Sequence, residues 1–138
     1  MRSVSSVVLT IEGATKFFGG VQALHNAKLS LYPGEIHALL GENGAGKSTL
    51  LKTLAGVHRL DAGTITLNGK AFEQGSTRLA REQGVAVIYQ EPSLFPDLTL
   101  AENVFVGRQP QKNGSVDWKF MQDESRKLFA QLGVPLNP

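Results

Sequence analysis

An α/β fold built around a phosphate-binding loop is predicted by three observations. The run Gly41-Glu42-Asn43-Gly44-Ala45-Gly46-Lys47-Ser48-Thr49 fits the pattern G-x-x-x-x-G-K-[ST]. A short apolar segment, Glu35-Ile36-His37-Ala38-Leu39-Leu40, precedes it, and Leu50, Leu51, Leu54 and Ala55 follow at helical spacing with Gly56 as a stop signal. Val85-Ala86-Val87-Ile88-Tyr89 is a second continuous apolar run, suited to a buried parallel strand.

Taken in order, Val7-Val8-Leu9-Thr10-Ile11 predicts a strand, and Ala27-Lys28-Leu29-Ser30-Leu31 alternates before the turn Tyr32-Pro33-Gly34, an antiparallel start. Thr64-Ile65-Thr66-Leu67 alternates again and runs into Asn68-Gly69, the dipeptide suited to a type I′ hairpin, with Lys70-Ala71-Phe72 as the return. Residues 76–83 predict a short helix closed by Gly84. Thr99-Leu100-Ala101-Glu102 has capping-box spacing, so a helix is expected from Leu100. Asp117 caps a further helix whose expected apolar face is Trp118, Met121, Ser125, Leu128 and Leu132, ending at Gly133 and Pro135. The expected layout is a β layer and phosphate loop over about residues 1–98 and the start of a helical part over about 99–138.

The loop needs three residue types for three tasks. Glycines let successive N–H groups turn inward toward phosphate oxygens, Lys47 brings a mobile positive charge, and the Ser48 hydroxyl can ligate Mg²⁺. Strand, loop and helix in that order hand the phosphates to a helix N-terminus. The alternative is a Gly-rich turn without ligand, which needs neither Lys47 nor Ser48.

Composition adds bounds. At 138 residues and 41% hydrophobic content the chain can form one domain with a core. Net charge is +2 with no long basic run, so no nucleic-acid footprint is indicated. Without cysteine there are no disulfides or thiolate metal sites. No apolar stretch approaches the roughly 18 residues of a membrane span, and residues 1–10 are too short and Ser-rich for a signal peptide.

Three segments together make the chain resemble the ATP-binding subunit of ABC transporters, most closely those of bacterial sugar importers of the rhamnose, ribose and autoinducer type. They are Lys16-Phe17-Phe18-Gly19-Gly20-Val21-Gln22-Ala23-Leu24, residues 34–50 around the loop, and Val87-Ile88-Tyr89-Gln90-Glu91-Pro92-Ser93-Leu94-Phe95-Pro96-Asp97-Leu98-Thr99. The resemblance implies an ABC-type P-loop ATPase core with an antiparallel β layer, ATP and Mg²⁺ as ligands, and Lys47 and Gln90 as catalytic positions. Ser48 and Gln90 would then hold the metal, and residues Gly41, Glu42, Asn43, Gly44, Ala45, Gly46, Lys47, Ser48 and Thr49 would bind phosphate. Phe18 would stack on adenine, against the alternative of a core Phe beside Phe17. Gln90 competes with a strand-terminal polar residue of no role. Leu94 and Phe95 are either an exposed contact for a membrane partner or core.

The resemblance further implies transmembrane permease subunits, a second ATPase domain and, indirectly, a periplasmic sugar-binding protein as partners, at the cytoplasmic face of the inner membrane. Hydrolysis in that family also needs a strand ending in Asp-Glu (Walker B), a Leu-Ser-Gly-Gly-Gln-like signature and a switch histidine after Gln90, and this sequence has none. Asp123-Glu124 lies in an expected exposed helix, and His25, His37 and His58 are read as structural. The chain is therefore expected to be an N-terminal piece with negligible turnover, in which the strands over 36–40 and 85–89 lack their usual neighbours and invite self-association. The rivals are a stand-alone regulatory nucleotide-binding module and a P-loop kinase or GTPase, although the GTPase guanine reader Asn-Lys-x-Asp is absent.

Overall fold

A computed structural model of the chain describes residues 7–89 and 94–138. It divides into two compact units, Met1–Ile88 and Tyr89–Pro138.

The first unit is an antiparallel sheet with two helices. Strand β1 (Leu9–Phe18) pairs with β2 (Val21–Leu31) on one side and with β3 (Ala62–Leu67) on the other. Strand β4 (Lys70–Ala71) closes the order β2-β1-β3-β4. The expected strands at 7–11 and 27–31 are the outer halves of β1 and β2, which continue to a tight turn at Gly19-Gly20. The β3–β4 turn uses Asn68 at φ 51° and Gly69 at φ 74°, the double left-handed geometry of a type I′ hairpin. Phe72 lies beyond β4 instead of within it; its N–H still donates to Ile65 O at 2.9 Å and its ring is buried.

Alternation decides the core. Leu9 and Ile11 of β1, Leu24 of β2 and Ile65 of β3 are buried with Ala14, Phe72, Leu50 of helix α1 (Lys47–Leu54) and Ala80 of helix α2 (Thr77–Glu82). Fully burying one such side chain contributes about 1.5–3 kcal/mol. The Ser76 hydroxyl caps α2 by accepting from the Leu79 N–H at 3.3 Å.

Two expected strands do not form. Residues 35–40 and 85–89 have no strand assignment and lie outside the sheet. Ile36 is 100% exposed, Leu40 88% and Ile88 97%. The apolar run supplies strand propensity, but a strand also needs a neighbour for its N–H and C=O groups, and no described strand pairs with either segment.

The second unit holds helix α3 (Leu100–Val104), a small hairpin of β5 (Gln111–Lys112) and β6 (Ser115–Val116), and helix α4 (Trp118–Gln131). The capping box at α3 is complete: Thr99 Oγ1 accepts from the Glu102 N–H at 3.2 Å, and Glu102 Oε2 accepts from the Thr99 N–H at 2.7 Å. Asp117 caps α4 by accepting from the Phe120 N–H at 3.0 Å. The face buried by α4 is Met121, Ser125 and Phe129, not the wider stripe expected: Trp118, Leu128 and Leu132 are exposed. Successive buried positions four residues apart follow the i, i+4 row along a helix face. Asp123 and Glu124 pair with Arg126 and Lys127 on the outside, as expected for a solvated face. No described helix is long and apolar enough to cross a membrane.

Candidate nucleotide-binding site

The loop from Gly41 to Gly46 ends on the N-terminus of α1. Gly46 is the N-cap residue at φ 84°, and its carbonyl accepts the first helical bond, from the Leu50 N–H at 2.9 Å. No side chain caps this end, and no acidic residue lies in the first turn. The partial positive charge of the helix start is therefore uncompensated by the chain's own groups, which suits an anion.

Gly46 also has no room for a side chain. A Cβ there would lie 2.5 Å from Ala23 O and 2.9 Å from Leu24 Cδ2. The loop end thus rests directly on β2, the strand that begins just after Phe18. Gly44 is left-handed too, at φ 85°, but a Cβ there would meet nothing within 4 Å. Two glycines of one motif serve different purposes: close approach at Gly46, and backbone curl facing open space at Gly44.

Lys47 folds over the loop. Its Nζ donates to Gly41 O at 2.6 Å and to Glu42 O at 2.7 Å, holding an ammonium above the exposed carbonyls of the loop entrance. The Ala45 N–H is engaged internally, donating to Glu42 O at 3.2 Å. It is thus less available to phosphate than its neighbours in the expected run from Asn43 to Thr49. Ser48 is exposed in the first turn of α1.

Phe18 ends β1 and is 43% exposed, so it is not a core residue. Its ring meets the His58 ring edge-on, with centroids 5.0 Å apart and planes at 70°. Lys16 Nζ lies 5.6 Å from its centroid. The same Lys16 donates to Asp61 Oδ1 at 2.9 Å, and Asp61 Oδ2 accepts from the Phe17 N–H at 2.6 Å. The Phe17 N–H, and then Lys16, hold the Asp61 carboxyl below the usual carboxylate range. Neither Asp61 nor a role for His58 at Phe18 was legible from sequence: the partners lie forty or more positions apart.

Gln90 lies outside the described residues, with Glu91, Pro92 and Ser93. Leu94 and Phe95 are exposed, at 72% and 51%. No group of three His, Cys, Asp or Glu side chains able to hold a metal exists among the described residues. The exposed Ser48 hydroxyl fits an ion such as Mg²⁺, which takes most of its oxygens from phosphate and water.

The ABC transporter family matches residues 24–136. The chain is 54% identical over 135 residues to a ribose import ATP-binding protein, RbsA 1, of Streptomyces coelicolor, covering 97% of this chain and 27% of that protein. It is 47% identical over 130 residues to the galactofuranose transporter ATP-binding protein YtfR of Escherichia coli, covering 94% and 26%. The chain thus spans about a quarter of the length of these relatives. A solved ATP-binding cassette of an ABC transporter superposes with a TM-score of 0.78 at 23% identity, over 94% of this chain and 55% of that one, a likeness of fold alone.

Proposed function

The chain belongs to the ABC transporter family, and from that premise we propose that it is the ATP-binding part of the energy-coupling subunit of a sugar importer. The observation that carries this reading is the uncapped start of α1 against β2, with Lys47 held over the loop. The naming of relatives at about 50% identity for ribose and galactofuranose import supports the transport role and the sugar class.

In this reading the amides around Gly44 and Gly46 to Thr49 receive the phosphate oxygens, and Lys47 swings from the Gly41 and Glu42 carbonyls to neutralise β/γ-phosphate charge. The Ser48 hydroxyl, with Gln90, would hold Mg²⁺, which when bound draws charge from the phosphates. Phe18 offers a flat apolar face to adenine without reading its edge. Both units belong to one nucleotide-binding domain, working with permease subunits, a second ATPase domain and, through the permease, a periplasmic sugar-binding protein, at the cytoplasmic membrane face. Closure of the ATPase pair on ATP and its reopening on hydrolysis would drive the membrane partner.

Hydrolysis itself requires a positioned water and a second phosphate clamp. The 138-residue chain carries no Asp-Glu strand, signature or switch histidine, so it should bind nucleotide weakly and turn it over negligibly. Calorimetric titration of the chain with Mg²⁺–ATP, beside a Lys47→Ala variant, tests this. Binding lost in the variant is expected. Equal binding by both, or a preference for GTP, would overturn the reading.

A further inference from the structure

We infer that Asp61 and His58 are positioning residues that hold Phe18 as a platform for the purine ring, so that the site's preference for a nucleotide over bare polyphosphate depends on both. The inference rests on the nucleotide-binding reading above and adds two residues to it.

Phe18 stands at the very end of β1, paired with Val21 of β2 but beyond the last β3 partner at Thr15, and the chain reverses at Gly19-Gly20. A ring that is 43% exposed at a hairpin tip would sample several rotamers, and ordering it on ligand binding would cost affinity. Asp61 removes that freedom at the backbone. Its two carboxylate oxygens take the Phe17 N–H at 2.6 Å and the Lys16 ammonium at 2.9 Å, while its own N–H donates to Thr15 O at 2.9 Å. Three successive residues before Phe18 are thus tied to the start of β3. The same ion pair keeps Lys16 Nζ 5.6 Å from the Phe18 centroid, a cation–π distance.

His58 fixes the ring itself. It sits in the segment after α1, and its imidazole meets Phe18 at 5.0 Å and 70°, the edge-to-face arrangement that aromatic pairs prefer. Helix α1 begins at the phosphate loop and ends at Leu54, and the turn after it, in which the Val57 N–H donates to Lys52 O at 2.9 Å, carries His58. Its orphan amides and the turn carrying His58 are therefore joined through one hydrogen-bonded segment.

The test compares ATP with inorganic tripolyphosphate by calorimetric titration of the 138-residue chain. Tripolyphosphate reads the loop alone and reports folding of each variant in the same sample. Wild type is expected to prefer ATP. In Phe18→Ala the preference should fall by roughly 5- to 140-fold, the range of base–aromatic stacking energies. Asp61→Ala and His58→Ala should each lower it at least about threefold with tripolyphosphate binding kept, and His58→Phe should restore it, as expected of ring–ring contact. Should Asp61→Ala fail to fold, Asp61→Asn, which keeps an acceptor for the Phe17 N–H but drops the Lys16 charge, is expected to fall between. An unchanged ATP preference in the Asp61 and His58 variants, with Phe18→Ala losing it, overturns the inference and leaves the nucleotide reading intact. Wild type with no ATP preference overturns the inference, and wild type binding neither ligand overturns both.

Discussion

Replacing Gly46 and Gly44 one at a time by alanine separates two requirements that the loop motif joins. Both residues are left-handed, at φ 84° and 85°, so each alanine carries a conformational cost of about 1–2 kcal/mol. At Gly44 nothing lies within 4 Å of the added Cβ, and that cost is the whole effect. At Gly46 the methyl would stand 2.5 Å from Ala23 O and 2.9 Å from Leu24 Cδ2. The helix start must then move off β2, and forced overpacking of this kind adds typically about 1–3 kcal/mol. Gly46→Ala should therefore cost about 2–5 kcal/mol and Gly44→Ala about 1–2 kcal/mol. Urea unfolding followed by circular dichroism measures both, with similar slopes expected if the unfolded states match. Tripolyphosphate binding should weaken more in Gly46→Ala, because it displaces the amides at the start of α1. Equal destabilisation by the two substitutions would refute the close contact between loop and strand.

Three further outcomes are expected. Leu50→Ala empties a buried position between α1 and the sheet and should destabilise the first unit by about 2–5 kcal/mol in the same urea experiment, with an exposed Leu51→Ala control within about 0.5 kcal/mol. Thr99→Ala removes one half of the capping box and should cost about 1 kcal/mol locally, read as faster hydrogen exchange in residues 100–104. Because the folded-state pKa of Asp61 is depressed, its contribution to stability is complete above the unfolded carboxylate pKa and is lost as pH falls through the folded value; unfolding midpoints below about pH 4 should fall less steeply in Asp61→Asn than in wild type. Parallel acid limbs in the two proteins would count against the clamp at Phe17.

What was legible in the sequence was local. The Asn68-Gly69 turn, the Thr99 capping box, the Ser76–Gly84 helix and the loop-to-helix junction each depend on residues within a few positions of one another, where backbone chemistry acts directly. Asn113-Gly114, with φ 53° and 80°, carries the same turn signal as Asn68-Gly69 and makes the β5–β6 hairpin, so that element too is legible in the sequence. The inner halves of β1 and β2 carry no such local signal, because register shifts interrupt the pairing between Ile11 and Phe17. Asp61 could not be read at all: a lone carboxylate acquires its meaning only when folding brings the Phe17 N–H to it.

The two failed strands mark the boundary of that local legibility most sharply. Residues 35–40 and 85–89 have the apolar, β-prone composition of buried parallel strands, yet Ile36 and Ile88 are almost wholly exposed. Composition reports what a segment would bury, whereas pairing decides whether it can. A parallel strand takes its hydrogen bonds from neighbours distant in sequence, unlike β3 and β4, which supply each other across two residues. The described sheet is wholly antiparallel, and neither of its edge strands, β2 and β4, pairs with either segment. The resemblance implies missing neighbours, and a segment without a neighbour forms no strand. The phosphate loop, in contrast, is anchored at its far end by Gly46 on β2 and by α1 in the core. Its geometry survives because the helix after it is packed, even though the segment before it is unpaired.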